Sequence, residues 1–424
     1  MTKRDFLARA GALVAGRWVQ DGLLALLLIW LARTDQSGYG LFVFGAGVAA
    51  MMRSVLALGL DQYALREFAL NQGSRTQLLK QMVKIKGALG ALILAGLVAF
   101  ALLKGWSSTQ TAVVLIIALG RALDGIADTF FAIYRADGRQ VREGFFSILA
   151  NLASGVSGGV ALLMGLGVIG VAFFVVIAGG IKIVLAVTGG IKVKLTPLWP
   201  LGFDFLPPGQ LWSVLSIAGV AILGAVYNQA QIFLLKQFQP LTEVALYGAA
   251  GDMAGGIAGI VSSLIIGAIL FPSLTRAAAQ GRDEVRRLVR GYLWRLAVWG
   301  IVVGLFLSTV GGLVLIALYG AKYQGSLPCL RLLGPATTLS FVNNLAIFTL
   351  LALRQEGRLF LFHLLPVGVC FGLGLVLIPQ LGAVGAAWNL LAARAAMFVL
   401  VFGWLYWTLR RDKTGQDFGS GKEG

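Results

Sequence analysis

Twelve apolar stretches, each long enough to cross a bilayer as a helix, run through the chain of 424 residues. A spanning helix needs about 20 mostly apolar residues, and backbone inside lipid must satisfy its own hydrogen bonds. We therefore predict an all-α integral membrane protein. The stretches cover residues 10–32, 40–60, 87–103, 111–133, 145–164, 168–188, 211–235, 246–270, 291–317, 327–352, 360–378 and 384–407.

The basic residues between the stretches predict the orientation of the chain. Connections on one side, both termini included, hold 25 Lys and Arg residues, whereas the other side holds only Arg33, Lys104, Lys236 and Lys322. The positive-inside rule then places both termini in the cytoplasm of a multi-pass inner-membrane protein. Most of the net charge of +17 is thus an orientation signal beside anionic membrane lipid, and nucleic acid is not an expected partner.

Short sequence matches indicate an internal repeat. Tyr39-Gly40 opens the second stretch and Tyr247-Gly248 the eighth, an offset of 208 residues. Arg135-Ala136-Asp137-Gly138-Arg139 and Arg354-Gln355-Glu356-Gly357-Arg358 match at an offset of 219, and 166–170 matches 381–385 at 215. Each half holds six stretches, an even number, so the first helix of both halves begins on the same side of the membrane. We predict two six-helix bundles related by a pseudo-two-fold axis along the membrane normal, with the substrate between them.

A proline-rich connection divides the two halves. It carries Pro197, Pro200, Pro207 and Pro208, which favour irregular backbone. The expected domains are an N-terminal bundle at 1–190, a cytoplasmic linker at 191–210, a C-terminal bundle at 211–407 and a cytoplasmic tail at 408–424.

Charged residues inside the first stretch indicate a polar cavity. Arg17, Gln20 and Asp21 lie on one helix face by their spacing, and Arg17 lies roughly 10 Å into the membrane. Such residues usually face a bundle interior or a wet cavity. The alternative is that Arg17 and Asp21 only neutralise each other.

Other functional classes find no support in the sequence. His363 is the only histidine, Cys329 and Cys370 lie in apolar stretches, and neither a metal site nor a catalytic triad is expected. The glycine-rich runs 155–159 and 255–259 lack the Lys-Ser/Thr of a nucleotide loop and favour close helix packing. We expect no enzyme and no cofactor.

Four motifs resemble one family of transporters over nearly the whole chain. The motifs are Gly38-Tyr39-Gly40-Leu41-Phe42; Leu58-Gly59-Leu60-Asp61-Gln62 with Leu65-Arg66-Glu67; Tyr134-Arg135-Ala136-Asp137-Gly138-Arg139; and Ile378-Pro379-Gln380-Leu381-Gly382-Ala383-Val384-Gly385-Ala386-Ala387. With these motifs, the sequence is similar to the lipid-linked oligosaccharide (polysaccharide) flippases of the multidrug/oligosaccharidyl-lipid/polysaccharide (MOP) transporter superfamily.

The resemblance implies a V-shaped pair of bundles and alternating access. The implied cargo is a polyprenyl-pyrophosphate-linked oligosaccharide, flipped across the inner membrane for surface polysaccharide synthesis, with glycan polymerases as partners. A pyrophosphate needs fork-shaped cationic donors. We therefore expect Arg17 and Arg53 to receive it, with Arg121 and Arg394 further along its route. The alternatives are snorkelling for Arg53 and a structural ion pair or backbone bond for Arg394.

Intramembrane carboxylates form a second candidate set. Arg121, Asp124 and Asp128 follow one stripe of the fourth stretch. Asp21, Asp124, Asp128 and Asp252 are candidate sites for coupling to H⁺ or Na⁺, unless Asp124 simply balances Arg121. Lys182 and Arg331 lie near the ends of their stretches, and snorkelling is expected for both.

Two other functions stay open. A cation-coupled multidrug exporter of the same superfamily would favour an acidic cavity, but the stretches hold six basic and four acidic residues. A membrane glycan polymerase or ligase usually needs a large outer loop, and every outer connection here is short.

Overall fold

The computed structural model describes residues 3–58, 60–61, 68, 75–189, 208–261 and 270–410. Within these ranges, the side chains of residues 3–15, Arg17, 208–217, 257–261 and 271–272 lie outside the description. The predicted linker at 191–210 is described only from Pro208, and the predicted tail only as far as Arg410. The domain limits at these points therefore stay predictions.

Thirteen α-helices, one short 3₁₀ turn at Ala321–Tyr323 and no strand occupy the described residues. The helices are α1 Lys3–Thr34, α2 Gln36–Ala57, α3 Arg75–Leu103, α4 Ser108–Ala136, α5 Gln140–Leu163, α6 Gly167–Thr188, α7 Pro208–Phe238, α8 Leu241–Val261, α9 Phe271–Gln280, α10 Arg282–Ser308, α11 Gly311–Tyr319, α12 Ser326–Ala352 and α13 Glu356–Arg410.

The predicted spanning stretches correspond to these helices, with four differences. Helix α9 lies in the predicted connection after the eighth stretch and corresponds to no stretch. Stretches eleven and twelve both lie in α13, which is interrupted by the non-helical Gly382 (φ 56°, ψ −130°). The ninth stretch is divided, because α10 ends at Ser308 and α11 begins at Gly311. Helix α3 begins at Arg75, well inside the predicted connection 61–86. Hydropathy marks only the apolar part of a helix, so polar turns that extend it are missed.

Eight of the described helices are long and apolar enough to cross a membrane by length and composition alone. Their outer surfaces are apolar: Leu92, Val156, Leu305 and Leu375 are 69%, 69%, 59% and 53% exposed. Lipid tails solvate such a surface as well as a protein core does. This pattern confirms the prediction of an integral membrane protein.

The helices pack in two groups that follow the order of the chain. In the N-terminal half, α1–α6, the main contacts join α4 to α6, α1 to α5, α5 to α6 and α2 to α4. In the C-terminal half, α7–α13, they join α7 to α13, α10 to α12 and α12 to α13. Helix α2 makes most of the contacts between the halves, through α7 and α8.

Backbone conformations repeat between the two halves. Residues with positive φ angles recur at offsets of 215 or 216 residues, where equivalent helices end or begin. The pairs are Gly105 with Gly320, Gly138 with Arg354, and Gly167 with Gly382. The sequence match at 135–139 is thus displaced by three residues from the structural one, while the match at 166–170 agrees with it. Common backbone geometry at common positions supports the internal repeat.

The two halves meet at one end of the molecule, the end that holds the α1–α2 connection. Arg33 of α1 donates from Nε to the carbonyl of Leu318 at 2.6 Å, and Lys322 donates to the carbonyl of Arg33 at 2.9 Å. Tyr323 donates to the carbonyl of Ala32 at 3.3 Å. We call this the closed end. Among the described residues, every hydrogen bond and ring contact between the halves belongs to it, as a V-shaped pair of bundles requires.

Candidate functional site

Asp124 of α4 is the centre of a group of ion pairs in the N-terminal half. Lys182 Nζ on α6 lies 2.7 Å from Asp124 Oδ1, and Arg53 Nη1 on α2 lies 2.8 Å from Asp124 Oδ2. Arg121, one turn earlier on α4, is more distant at 3.7 Å. Lys182 also donates to Gln20 Oε1 on α1 at 3.0 Å. This one carboxylate therefore connects α2, α4 and α6, and reaches α1 through Lys182.

A second set of pairs extends from Arg53 toward the end of α4. The other terminal nitrogen of Arg53 donates to Asp128 Oδ2. Arg135 Nη2 lies 3.5 Å from Asp128 Oδ1 and 2.6 Å from Glu143 Oε1 on α5. Glu143 is buried, with 4% exposure. Arg53 and Arg135 thus hold Asp128 between them.

A buried lysine on α3 lies beside these pairs. Lys86 is 2% exposed and donates to Asp61 Oδ1 at 2.5 Å and to the carbonyl of Gly125 at 2.9 Å. Since Gly125 follows Asp124 directly, Lys86 is fixed against the same turn of α4. We call the nine ionised side chains the charged network: Arg53, Asp61, Lys86, Arg121, Asp124, Asp128, Arg135, Glu143 and Lys182.

Glycines explain why Lys182 reaches Asp124. A Cβ atom on Gly120 of α4 would lie 2.7 Å from the backbone of Val175, and one on Gly179 of α6 would lie 3.0 Å from the carbonyl of Gly120. The two helix backbones therefore approach more closely than any side chain would permit. Lys182 lies one turn after Gly179, on the face of α6 that turns toward α4.

The charge balance of the network is positive. Within the described residues it holds five basic and four acidic side chains, and each carboxylate has at least one cationic partner. Arg53 keeps 40% of its side chain exposed, Asp128 26% and Arg121 25%. An anion can therefore compete for Arg53, and a proton or metal cation can compete for the carboxylates that Arg53 holds.

The structure brings together only some of the sequence-predicted residues. Arg53, Arg121, Asp124 and Asp128 lie together in the charged network. The side chain of Arg17 lies outside the described residues. Asp21 is exposed on α1 and is engaged in an interaction.

Arg394 lies apart, on α13 in the C-terminal half. Its backbone carbonyl accepts a hydrogen bond from Asn343 Nδ2 at 3.0 Å. Its Nε is buried and has no hydrogen-bond partner, and no described carboxylate pairs with the guanidinium. Arg394 is therefore a partly exposed cation whose charge the described residues leave uncompensated.

Asp252 also lies apart from the charged network. It is near the middle of α8, its side chain is exposed, and it accepts a hydrogen bond from the Tyr39 hydroxyl at 2.7 Å. Among the described residues no base pairs with Asp252. Two acidic positions predicted for ion coupling, Asp124 and Asp252, thus lie in different environments.

The expectation that Lys182 snorkels is wrong. Lys182 is 6% exposed and ion-paired with Asp124. The sequence carried a signal for this, because Val175, Gly179, Lys182 and Ala186 recur at helical spacing on one buried face of α6. Arg331 is exposed, and the snorkelling expected of it stays a prediction.

The sequence analysis gave no site role to Lys86, Arg135 or Glu143, because all three lie in polar connections within two residues of an apolar stretch. Arg135 entered it only through the repeat and one family motif. Within the described residues, no three His, Cys, Asp or Glu side chains are grouped to bind a metal ion.

Comparison with solved structures finds the same fold over nearly the whole chain. A MOP superfamily transporter from Pyrococcus furiosus, described as having a binding pocket of reversed polarity, has a TM-score of 0.64 at 14% identity and covers 97% of both chains. The outward-facing conformation of a multidrug resistance MATE family transporter has a TM-score of 0.62 at 16% identity, over 98% of this chain and 100% of its own. A MATE in complex with MaD5 has a TM-score of 0.64 at 15% identity, over 97% of both chains.

Comparisons of sequence add no family to this result. No protein-family model matches the chain, and no curated protein matches it. Likeness at 14–16% identity concerns the fold. The chain is a multi-pass membrane protein with the fold of the MOP superfamily transporters.

Proposed function

We propose that the protein is a membrane transporter that flips a polyprenyl-pyrophosphate-linked oligosaccharide by alternating access. The observation that best supports this cargo is the positive balance of the charged network, five basic against four acidic side chains in the described residues. A pyrophosphate that enters such a site meets charge of opposite sign. An organic cation would add to the excess and would raise the energy of the bound state.

The direction of transport follows from the basic residues. The closed end carries the connections that are poor in Lys and Arg, so the positive-inside rule places it on the outer face. The described conformation is then inward-facing, with its open end toward the cytoplasm. A glycolipid assembled in the cytoplasmic leaflet would enter there, and glycan polymerases would use it on the outer side.

Arg53 is the residue to which we assign the first contact with pyrophosphate. Its guanidinium already donates to two carboxylates, Asp124 and Asp128, and the same fork fits two phosphate oxygens. With 40% of its side chain exposed, it can be reached without unfolding α2. Arg17, Arg121 and Arg394 are the further contacts in this proposal, and the uncompensated charge of Arg394 suits the opposite wall of the cavity.

Carboxylates released by Arg53 would couple transport to an ion. When the pyrophosphate takes over the guanidinium, Asp128 keeps Arg135 at 3.5 Å as its nearest described cation. A proton or Na⁺ would then compensate the lost charge. Asp21, Asp124 and Asp252 are the other candidates for this role.

A multidrug exporter is the second candidate, and Asp252 favours it. This carboxylate is exposed and has no basic partner among the described residues, so an organic cation could bind it. One of the similar folds belongs to a multidrug resistance MATE family transporter. A glycan polymerase or ligase is less favoured, because α1 and α2 are joined by Asp35 alone and α7 and α8 by 239–240 at the closed end.

The test is a leaflet-transfer assay in sealed proteoliposomes. A fluorescent polyprenyl-pyrophosphate sugar is added, and transfer is followed for the wild type, Arg53→Ala, Arg394→Ala and Asp128→Asn. Arg331→Ala is the matched control, since it also removes an arginine but an exposed one at the start of α12. We expect severe loss for Arg53→Ala and Arg394→Ala, and normal transfer for the control.

Two results would contradict the proposed cargo. Wild-type protein that leaves the lipid unmoved but transports organic cations along a proton or sodium gradient is an exporter. Equal activity in Arg53→Ala and the wild type would remove Arg53 from the route of the cargo. Folding of every variant is checked by gel filtration before reconstitution.

A further inference from the structure

A cavity of about 210 Å³ lies between the two halves at the closed end, away from the charged network. Lys104, at the end of α3, lines it from the N-terminal half, and Lys236, at the end of α7, lines it from the C-terminal half. Neither ammonium group has an ion pair or side-chain hydrogen bond with a described residue. Lys104 is exposed and Lys236 is half-buried, and two ammonium groups that line one cavity attract an anion into it.

The remaining polar lining also suits an anion. Gln110 and Gln237 contribute carboxamide groups, one from each half, and the described part of the lining contains no Asp or Glu. Carboxamide and ammonium groups can all donate hydrogen bonds to an oxyanion. At ~30 Å³ per water molecule, the volume equals that of about seven waters. An oxyanion with part of its hydration shell, or one attached to a small headgroup, therefore fits.

An aromatic cluster holds the cavity in shape. The ring of Trp106 packs edge-on against Phe44 and Phe100, with centroids 5.4 and 5.6 Å apart. The ring of Phe100 in turn lies against the ring of Phe233 in the C-terminal half, with centroids 6.3 Å apart. Because this contact crosses between the halves, the cavity has both its walls only while this end is closed.

We propose that this cavity is a binding site for a phosphate-type oxyanion, held between Lys104 and Lys236, which stabilises the closed end. The ligand differs from the transported cargo, and the inference holds whether that cargo is a glycolipid or a drug. Free phosphate and the phosphate of an anionic lipid share the required chemistry. Leu102 and Leu103, 77% and 86% exposed beside Lys104, offer an apolar surface along which acyl chains of such a lipid can lie.

The first arm of the test uses inorganic phosphate. The full chain is purified in an uncharged detergent, and phosphate replaces chloride at constant ionic strength. Thermal unfolding reports binding, and spin labels on Thr109 and Phe238, both exposed at this end, report the separation of the halves. Phosphate is expected to raise the unfolding temperature and to narrow the distance distribution.

The second arm uses lipid. The same measurements are made in nanodiscs of phosphatidylcholine with and without phosphatidylglycerol. A response to phosphatidylglycerol alone identifies a lipid headgroup as the ligand, and a response to phosphate alone identifies a free anion. Either response supports the proposal, and failure to respond to both anions overturns it.

Variants decide whether the response comes from this cavity. Lys104→Gln and Lys236→Gln should each weaken the affinity for phosphate roughly tenfold, because each removes one charged hydrogen bond. Lys104→Arg should retain the affinity. Lys80→Gln, on α3 near the other end of the molecule, is the control for general loss of charge. A phosphate response that survives the double variant Lys104→Gln/Lys236→Gln would place the anion elsewhere and contradict the proposal. Because no transport is measured, the result is separate from that of the flippase assay.

Discussion

The hydroxyl of Tyr39 donates a 2.7 Å hydrogen bond to Asp252 Oδ2 and thereby joins α2 of the N-terminal half to α8 of the C-terminal half. The Tyr39 ring is fully buried and contacts Tyr319 and Tyr323, with centroids 5.8 and 6.1 Å apart. Asp252 is exposed on its other side. This one carboxylate thus helps to fasten the closed end.

Tyr39→Phe is expected to loosen the closed end without unfolding the protein. It removes a hydrogen bond to a carboxylate, worth about 1.5–3 kcal/mol, and the closed population should fall roughly tenfold or more relative to the open one. Spin labels on Thr109 and Phe238 should show a broader and longer distance distribution. Tyr406→Phe, at an exposed tyrosine, is the control. Unchanged distances in Tyr39→Phe would show that the ring contacts alone hold this end.

Lys182→Met is expected to destabilise the N-terminal half. Asp124 would keep Arg53 at 2.8 Å but lose its closest cation, at a cost of about 1–3 kcal/mol. Thermal unfolding in detergent measures the loss. Lys182→Met combined with Asp124→Asn should recover part of it, because the buried charge left without its partner is gone. A single variant as stable as the wild type would mean that Lys182 and Asp124 are solvated rather than paired.

The glycines of the internal repeat are expected to control the approach of the halves. A Cβ atom on Gly40 would lie 2.0 Å from the carbonyl oxygen of Leu241, so Gly40→Ala should force α2 and α8 apart. A Cβ atom on Gly248 would lie 2.7 Å from a methyl group of Val43, and here Val43→Ala should relieve the clash. Distances between spin labels at the closed end measure both effects.

Gly22→Ala is the matched control for these glycine variants. Among the described residues, no atom outside its own helix lies within 4 Å of the Cβ that it would add. The distance between the spin labels at the closed end should therefore increase in Gly40→Ala and stay unchanged in Gly22→Ala. Equal behaviour of the two variants would show that α2 and α8 do not touch at Gly40 in the membrane.

Arg394→Gln is expected to separate stability from transport. No described carboxylate pairs with Arg394, so the free energy of unfolding should stay within about 0.5 kcal/mol of the wild type. Transport of a pyrophosphate-linked lipid should fall severely, because the variant removes the cation. Arg135→Gln should instead lower the unfolding temperature, because it removes the cation that lies 2.6 Å from the buried carboxylate of Glu143. A clear loss of stability in Arg394→Gln would assign Arg394 a structural role instead.

Several features of the candidate site could be predicted from the sequence because they depend on spacing within one helix. Arg121, Asp124 and Asp128 were expected on one stripe, and all three lie in the charged network. The repeated Tyr-Gly pairs pointed to equivalent helices, and their glycines, Gly40 and Gly248, lie where those two helices cross. Helical periodicity determines such relations before any tertiary contact forms.

The partners of these residues could not be predicted in the same way. Arg53 meets carboxylates 71 and 75 positions later in the chain, and Lys182 meets one 58 positions earlier. Those encounters depend on how far each helix is rotated about its axis and on how closely α4 and α6 approach at Gly120 and Gly179. Hydropathy carries no information on either quantity.

The sequence by itself determined that the chain is an all-helical membrane protein, because the transfer of a helix into lipid depends on its own composition. It also indicated the internal repeat, because the Tyr-Gly pairs at 39–40 and 247–248 can be recognised in the sequence alone. Only the tertiary structure decided which charges neutralise one another, that Arg394 has no carboxylate partner among the described residues, and which end of the molecule is closed. Ion pairs act over a few ångströms, so packing between distant helices, and not the pattern along any one of them, selects which groups meet.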